Sequence, residues 1–282
     1  MIINKVNNFI NKKRANQRIF RAKESLNKPQ SVLFYTTHKC ASSFINPLLK
    51  TLIKYSDYKL FDYAKAIRSL GNNLDINQEN AYFLKNFLEK SHNFLFLDRG
   101  EIYAPLRFPI DFAGRKNFKH IFFLRDPRDV VVSAYYSFGF THPLPNNIKA
   151  RMRVQEKRQS IQQQGIDNYA ITESKERFLP IYEEYIELIE TCSSFLYLRY
   201  SDFQDDTIQF IEIISDFLEV NISKEEIQEL ATKASPIQIT RDNSKHKRSG
   251  KSKQYLEELK PDTINTLNEI FSEVLKYWDF RE

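Results

Sequence analysis

Short apolar runs alternate along the chain with longer stretches in which apolar residues recur every three or four positions. The runs Val32 to Tyr35, Phe94 to Leu97, His120 to Leu124 and Phe195 to Tyr200, rich in Phe, Leu, Ile and Tyr, read as buried strands. Helical spacing marks about Phe44 to Tyr55, Glu79 to Lys90, Pro127 to Phe138, Arg177 to Thr191, Thr207 to Leu218, Lys224 to Lys233 and Pro261 to Tyr277. Strands separated by helices predict an α/β fold with a central, mainly parallel sheet flanked by helices. Ligands of such sheets bind outside the carboxyl ends of the strands.

Two strand-to-helix turns carry more chemistry than a turn needs. The first lies in "FYTTHKCASSF", residues 34 to 44. It sets Lys39, Ser42 and Ser43 beside helix N–H groups that have no backbone partner and beside the positive end of the helix dipole, an anion site in outline. The plain alternative is that Ser42 or Ser43 caps the helix and Lys39 is solvated. The second turn is "RDPRDVVVSAYYSF", residues 125 to 138. Asp126 suits the cap, Pro127 the first helical position and Asp129 the capping-box position. Arg125, Arg128 and Ser133 exceed what capping requires.

At 282 residues, with 41% hydrophobic and 14% aromatic content, the chain can bury a sizeable core. A net charge of +6 agrees with an anionic ligand without demanding one, and no nucleic-acid partner is indicated. Its two cysteines, Cys40 and Cys192, form neither a CxxC pair nor a zinc pattern, so no metal and a reducing, cytoplasmic setting are expected. No apolar run approaches the roughly 18 residues of a membrane span. Residues 1–28 read as a basic extension, a frayed terminal helix ahead of a helix lying on a membrane surface. The remainder, 29–282, is expected to be one domain with a polar insertion at about 140–171. That insertion's bases Lys149, Arg151, Arg153, Lys157 and Arg158 suit either a substrate entrance or a solvated helix.

"TTHKCASSF" followed downstream by "RDPRDVVVSAYYSF" resembles the P-loop-like sulfotransferase family that uses 3′-phosphoadenosine 5′-phosphosulfate (PAPS). "FLYLRYSDFQDD", residues 195 to 206, is similar to that family's late strand, and "KRSGKSKQY", residues 247 to 255, to its basic loop before the final helix. The resemblance implies transfer of a sulfuryl group from PAPS, without a metal, to a hydroxyl or amine of a small-molecule, lipid or glycan acceptor. It implies that Thr37, His38, Lys39, Cys40, Ala41, Ser42 and Ser43 form the 5′-phosphosulfate loop, with Phe44 stacking near the adenine. Arg125 and Ser133, joined by Lys247, Arg248, Ser249 and Gly250, would hold the 3′-phosphate, and Tyr200 would contact the adenine. Lys39 would stabilise the leaving phosphate oxygen.

The sequence also departs from the family pattern. Cys40 and Ala41 replace Ser-Gly, Ser249 replaces a base, and Pro47 interrupts the helix after the loop. For the catalytic base, "FLFLDRGEIYAP" supplies Asp98 and Glu101, and "FTHP" supplies His142. The alternatives are a P-loop kinase or NTPase with Asp98 as magnesium ligand, a catalytically silent nucleotide or polyanion binder, and a thiol enzyme using His38 and Cys40. Against the kinase, GxxxxGK[ST] is absent and Cys40 stands where its Ser or Thr belongs.

Overall fold

The strand VLFYT is buried at every position, and the chain on both sides of it supplies partners for its two faces. The computed structural model describes residues 28–63, 81–234 and 250–280. The expected N-terminal extension and Lys247, Arg248 and Ser249 lie outside the described residues.

In chain order the elements are β1 (Val32–Thr36), α1 (Ser42–Leu52), β2 (Lys59–Phe61), α2 (Ala81–Lys90), α3 (His92–Leu95), β3 (Glu101–Leu106), β4 (Lys119–Leu124), α4 (Pro127–Tyr136), α5 (Ile148–Glu173), α6 (Leu179–Glu190), β5 (Phe195–Arg199), α7 (Tyr200–Asp205), α8 (Thr207–Phe217), α9 (Lys224–Ala234), α10 (Tyr255–Glu258), α11 (Pro261–Ile270) and α12 (Ser272–Tyr277). Every strand pair is parallel, in the order β2-β3-β1-β4-β5. The order reverses at β1, between β3 and β4, and such a reversal opens a crevice at the carboxyl edge. Side chains of β1 and β4 alternate between two cores. Leu33, Tyr35, Phe122 and Leu124 pack with α4, α6, α11 and α12, whereas Val32, Phe34, Ile121 and Phe123 pack with α1, α8 and α9. Both faces of the sheet are therefore covered, as a parallel sheet requires.

Two sequence expectations are corrected. The run Phe94 to Leu97 is not a strand: α3 ends at Leu95, and the strand beside β1 is Glu101–Leu106. Periodicity cannot separate a four-residue apolar run from a buried helical turn, and Pro105 disguises the true strand. The register slips there from Leu33↔Tyr103 to Tyr35↔Leu106, a bulge in which the missing N–H of Pro105 is tolerated. The helix expected over Pro261 to Tyr277 divides at Phe271. The polar stretch from Asn146 is helical, forming α5 with a break at Gly165, φ 72°.

Two helices run on into π-helical turns, α4 through Ser137–Thr141 and α5 through Ser174–Phe178. The turns meet where the Arg177 guanidinium lies 5.4 Å from the centre of the Phe138 ring. Among the described residues no helix is long and apolar enough to cross a membrane.

Candidate active site

The crevice at β1 is floored by the loop 37–41, and its backbone is held from several sides. Thr36 Oγ1 donates to the Cys40 carbonyl at 3.4 Å, Cys40 Sγ donates to the Phe123 carbonyl at 3.4 Å, and Tyr185 donates to the Thr36 carbonyl at 3.2 Å. These ties hold Lys39 and Ala41 at φ 65° and 39°, left-handed values that cost about 1–2 kcal/mol for a residue with a Cβ. The loop thus turns without the family's glycine. α1 then starts with Ala41 as its N-cap, and Ser42 and Ser43 occupy the first two helical positions. The expectation that one of them sits at the cap position is corrected, and the cap residue has no oxygen to satisfy the first-turn N–H groups. α1 continues through Pro47.

Arg125, at the end of β4, is buried at the centre of the crevice. Nη1 donates to the Lys39 carbonyl at 3.0 Å, Nη2 donates to the Lys251 carbonyl at 2.7 Å, and Nε is buried without a hydrogen-bond partner. Its guanidinium lies 4.3 Å from the centre of the Tyr200 ring and 3.6 Å from Asp129. Burial opposes its charge, but Asp129 and Tyr200 outweigh that penalty and keep it a cation.

The described part of the basic loop is fastened to the same place. Tyr200 and Gln204 donate to the Gly250 carbonyl at 2.7 and 2.6 Å, and Asp129 accepts from the Lys253 and Tyr255 N–H groups at 2.8 and 3.2 Å. Asp129 therefore anchors that loop rather than completing a capping box. Asp126 does cap α4, accepting from Arg128 N at 2.9 Å. Arg128 pairs with Asp126 at 2.7 Å and donates to the Phe280 carbonyl, a structural role.

Positive charge is concentrated around the loop. Burial, then Arg125 and Arg107, bring the Lys39 ammonium down to about 8. Burial, then Arg177, Arg107, Lys39 and His142, hold the His38 imidazole well below its usual range. Burial raises the Cys40 thiol to about 12, so His38 and Cys40 are both neutral at pH 7 and form no thiolate–imidazolium pair. A charged lysine, an arginine with an unused N–H and a helix start without a side-chain cap converge on one crevice, and together they suit a ligand with more than one anionic group.

The sulfotransferase domain model matches residues 108–279, more than half of the chain. The chain belongs to the sulfotransferase family. In structure it is similar to mouse sulfotransferase SULT7A1 complexed with PAP, at 12% identity and TM-score 0.58, covering 89% of this chain and 85% of that one. It is also similar to retinol dehydratase in complex with androsterone and inactive cofactor PAP, at 15% identity and TM-score 0.53, covering 92% and 84%. A further structure of retinol dehydratase, with retinol and PAP, matches at 16% identity and TM-score 0.51, covering 92% and 85%. At these identities the likeness concerns the fold alone. No curated protein matches the sequence at a significant level.

Of the residues assigned by family resemblance, Phe44 and Tyr200 have side chains packed inside the molecule. Phe44 is packed in the core, 4.6 Å from Phe203 ring to ring, and offers no open face to an adenine. The Cys40 thiol points inward, leaving only its backbone to the crevice. Tyr200 is buried, with its hydroxyl spent on Gly250 and its ring against Arg125. Ser133 is half-buried on α4.

Asp98 and Glu101 are corrected as base candidates, because both lie at the amino end of β3 rather than its carboxyl end. Five residue steps along a strand separate Glu101 from the crevice edge by about 17 Å. Glu101 is buried and accepts a hydrogen bond from the Tyr103 hydroxyl. Asp98 is exposed there, and the magnesium role of the kinase alternative falls with the misread strand. His142 follows the π turn after α4, its ring centre 5.7 Å from that of Phe138, the ring against which Arg177 lies. Sequence reasoning missed Arg107 and Arg177. Placing β3 correctly would have exposed Arg107 as the residue after a strand, whereas Arg177 gave no signal because only tertiary packing brings the π turn after α5 to the crevice.

Proposed function

We propose that this sulfotransferase takes its sulfuryl group from PAPS and delivers it in line to a hydroxyl or amine of an acceptor. The observation that carries the donor assignment is the joining of Lys39, Arg125 and the 250–255 loop into one cationic crevice at the start of α1. In sulfuryl transfer, negative charge grows on the phosphate oxygen that leaves. Catalysis is then mainly positioning and charge stabilisation, by analogy with phosphoryl transfer.

In this reading Lys39 and the first N–H groups of α1 stabilise that oxygen. Arg125, with the unused Nε and the neighbouring basic loop, holds the second phosphate, and the carboxylate of Asp129 keeps both the guanidinium and the loop in place. His142 takes the acceptor proton. His38 is a poorer base, because burial first, and then Arg177, Arg107 and Lys39, oppose formation of its imidazolium.

The experiment is calorimetric binding of PAP in EDTA to the wild type and to Arg125→Ala, with AMP and ATP as comparisons. Micromolar or tighter binding that requires the 3′-phosphate and weakens at least tenfold in Arg125→Ala supports the donor site. ATP binding that needs magnesium, with PAP not bound, refutes it.

A further inference from the structure

The first half of α5 buries no residue before Ile161. It is nevertheless fixed in place. Arg151 Nε donates to the Pro145 carbonyl at 3.1 Å, Arg158 Nη2 to the His142 carbonyl at 2.6 Å and Gln162 Nε2 to the Gly139 carbonyl at 2.7 Å, which ties the helix to the chain that follows α4. On its outer side stand Ile148 and Met152, 73% and 55% exposed, the two most exposed large apolar side chains among the described residues. Four residues apart, they form a short apolar ridge. The adjoining stripe carries Lys149, Arg153 and Lys157, all exposed and again at four-residue spacing, so a basic ladder runs beside the ridge. In the sequence a single carboxylate, Glu156, falls between Asp129 and Asp167, against Lys149, Arg151, Arg153, Lys157 and Arg158.

Like charges four residues apart destabilise a helix, so α5 carries the ladder at a cost that an anionic partner relieves. We infer that this side of α5 docks on an anionic membrane surface, with Ile148 and Met152 entering the headgroup layer and Lys149, Arg153 and Lys157 pairing with lipid phosphates and carboxylates. A membrane presents anionic headgroups over apolar chains at one boundary, and neighbouring apolar and basic stripes on one helix meet both. A polyanionic glycan would use the ladder and leave the ridge in water. A second copy of the helix would set like charges against each other. Two inserted side chains and a few bases make a peripheral, reversible contact, far weaker than a membrane span. Neither stripe belongs to the donor crevice.

The test sediments the full chain with phosphatidylcholine vesicles, with and without phosphatidylserine, in physiological salt. The wild type should sediment with the anionic vesicles and stay in solution with the neutral ones. Affinity should fall about tenfold when Lys149→Gln and Lys157→Gln are combined, and by a similar factor when Ile148→Gln and Met152→Gln are combined, with the thermal midpoint of both double variants unchanged. No sedimentation with anionic vesicles, or equal sedimentation with neutral ones, would overturn the dock. Vesicle binding indifferent to both double variants would place the membrane contact elsewhere on the chain and overturn it equally. Binding of a heparin tetrasaccharide that needs the two lysines, with vesicle affinity untouched by loss of the ridge, would make the partner a soluble polyanion instead.

Discussion

At the residue scale, Lys39 is the most constrained group of the crevice, held in a left-handed turn with an ammonium that burial and two arginines have brought to about 8. An anion that binds beside it favours the protonated form, so PAP affinity should be flat up to about pH 7.5. Above pH 8 it should weaken by up to about tenfold per unit, as the free enzyme loses the proton that the complex retains. Lys39→Arg, charged throughout, should show no such fall, which calorimetry between pH 7 and 9.5 reads directly. Lys39→Ala should fold normally and lose turnover by about 10³-fold or more, and substantial activity in a folded variant would refute its role. His142→Ala should lower kcat by about 10²-fold or more and leave PAP affinity intact. A change in PAP affinity with kcat preserved would move His142 from the acceptor side to the donor side.

At the scale of elements, β4 carries a liability that β1 does not. His120 is fully buried, its ring centre 6.2 Å from those of both Tyr35 and Phe122, which themselves stack at 5.1 Å. Its Nε2 has no partner, and burial, then Arg115, lowers it to about 4. Between that value and its unfolded value near 6.5, the unfolded chain binds a proton that the folded chain refuses. Stability is complete above pH 6.5 and falls as pH drops, by about 3 kcal/mol near pH 4. Urea titrations at pH 7 and pH 4.5 should show this loss in the wild type and a clearly smaller one in His120→Phe. An equal loss in both would assign the acid sensitivity elsewhere, with His38 the next group of the same sign.

The same scale shows why some elements were readable and others were not. β1, β4 and β5 are apolar runs bounded by helices and follow from the sequence alone. β3 begins with a buried glutamate and contains a proline, both unfavourable in a strand, and becomes one because β1 and β2 supply partners on either side. The three-residue β2 is too short to leave a periodic signal. Placing the strand early put Asp98 and Glu101 at the wrong end of the sheet.

At the scale of the whole molecule, the C-terminal segment closes the face of the sheet that carries α4 and α6. Leu267, Phe271, Val274 and Trp278 are each at most 1% exposed, Tyr197 donates to the Trp278 carbonyl at 2.7 Å, and Arg128 donates to that of Phe280 at 2.9 Å. At about 1.5–3 kcal/mol for each buried side chain, removing this segment costs as much as the whole stability of a typical domain, about 5–15 kcal/mol. Truncation after Lys260 should give a chain without a cooperative thermal transition, and a cooperatively folded product would show that α11 and α12 are dispensable.

The sequence by itself determined the fold class, the two turns that carry Lys39 and Arg125, and the resemblance that names the family. All three are local patterns, an apolar run next to a helix start and a short string of residues read in order. Only the tertiary structure decided that Asp129 anchors the basic loop from a helix more than a hundred residues earlier, that Phe44 belongs to the core, and that Asp98 and Glu101 stand at the far end of β3. The reason is physical: a parallel sheet joins residues through strand order, register and the direction of each strand. None of these leaves a trace in the spacing of residues along the chain.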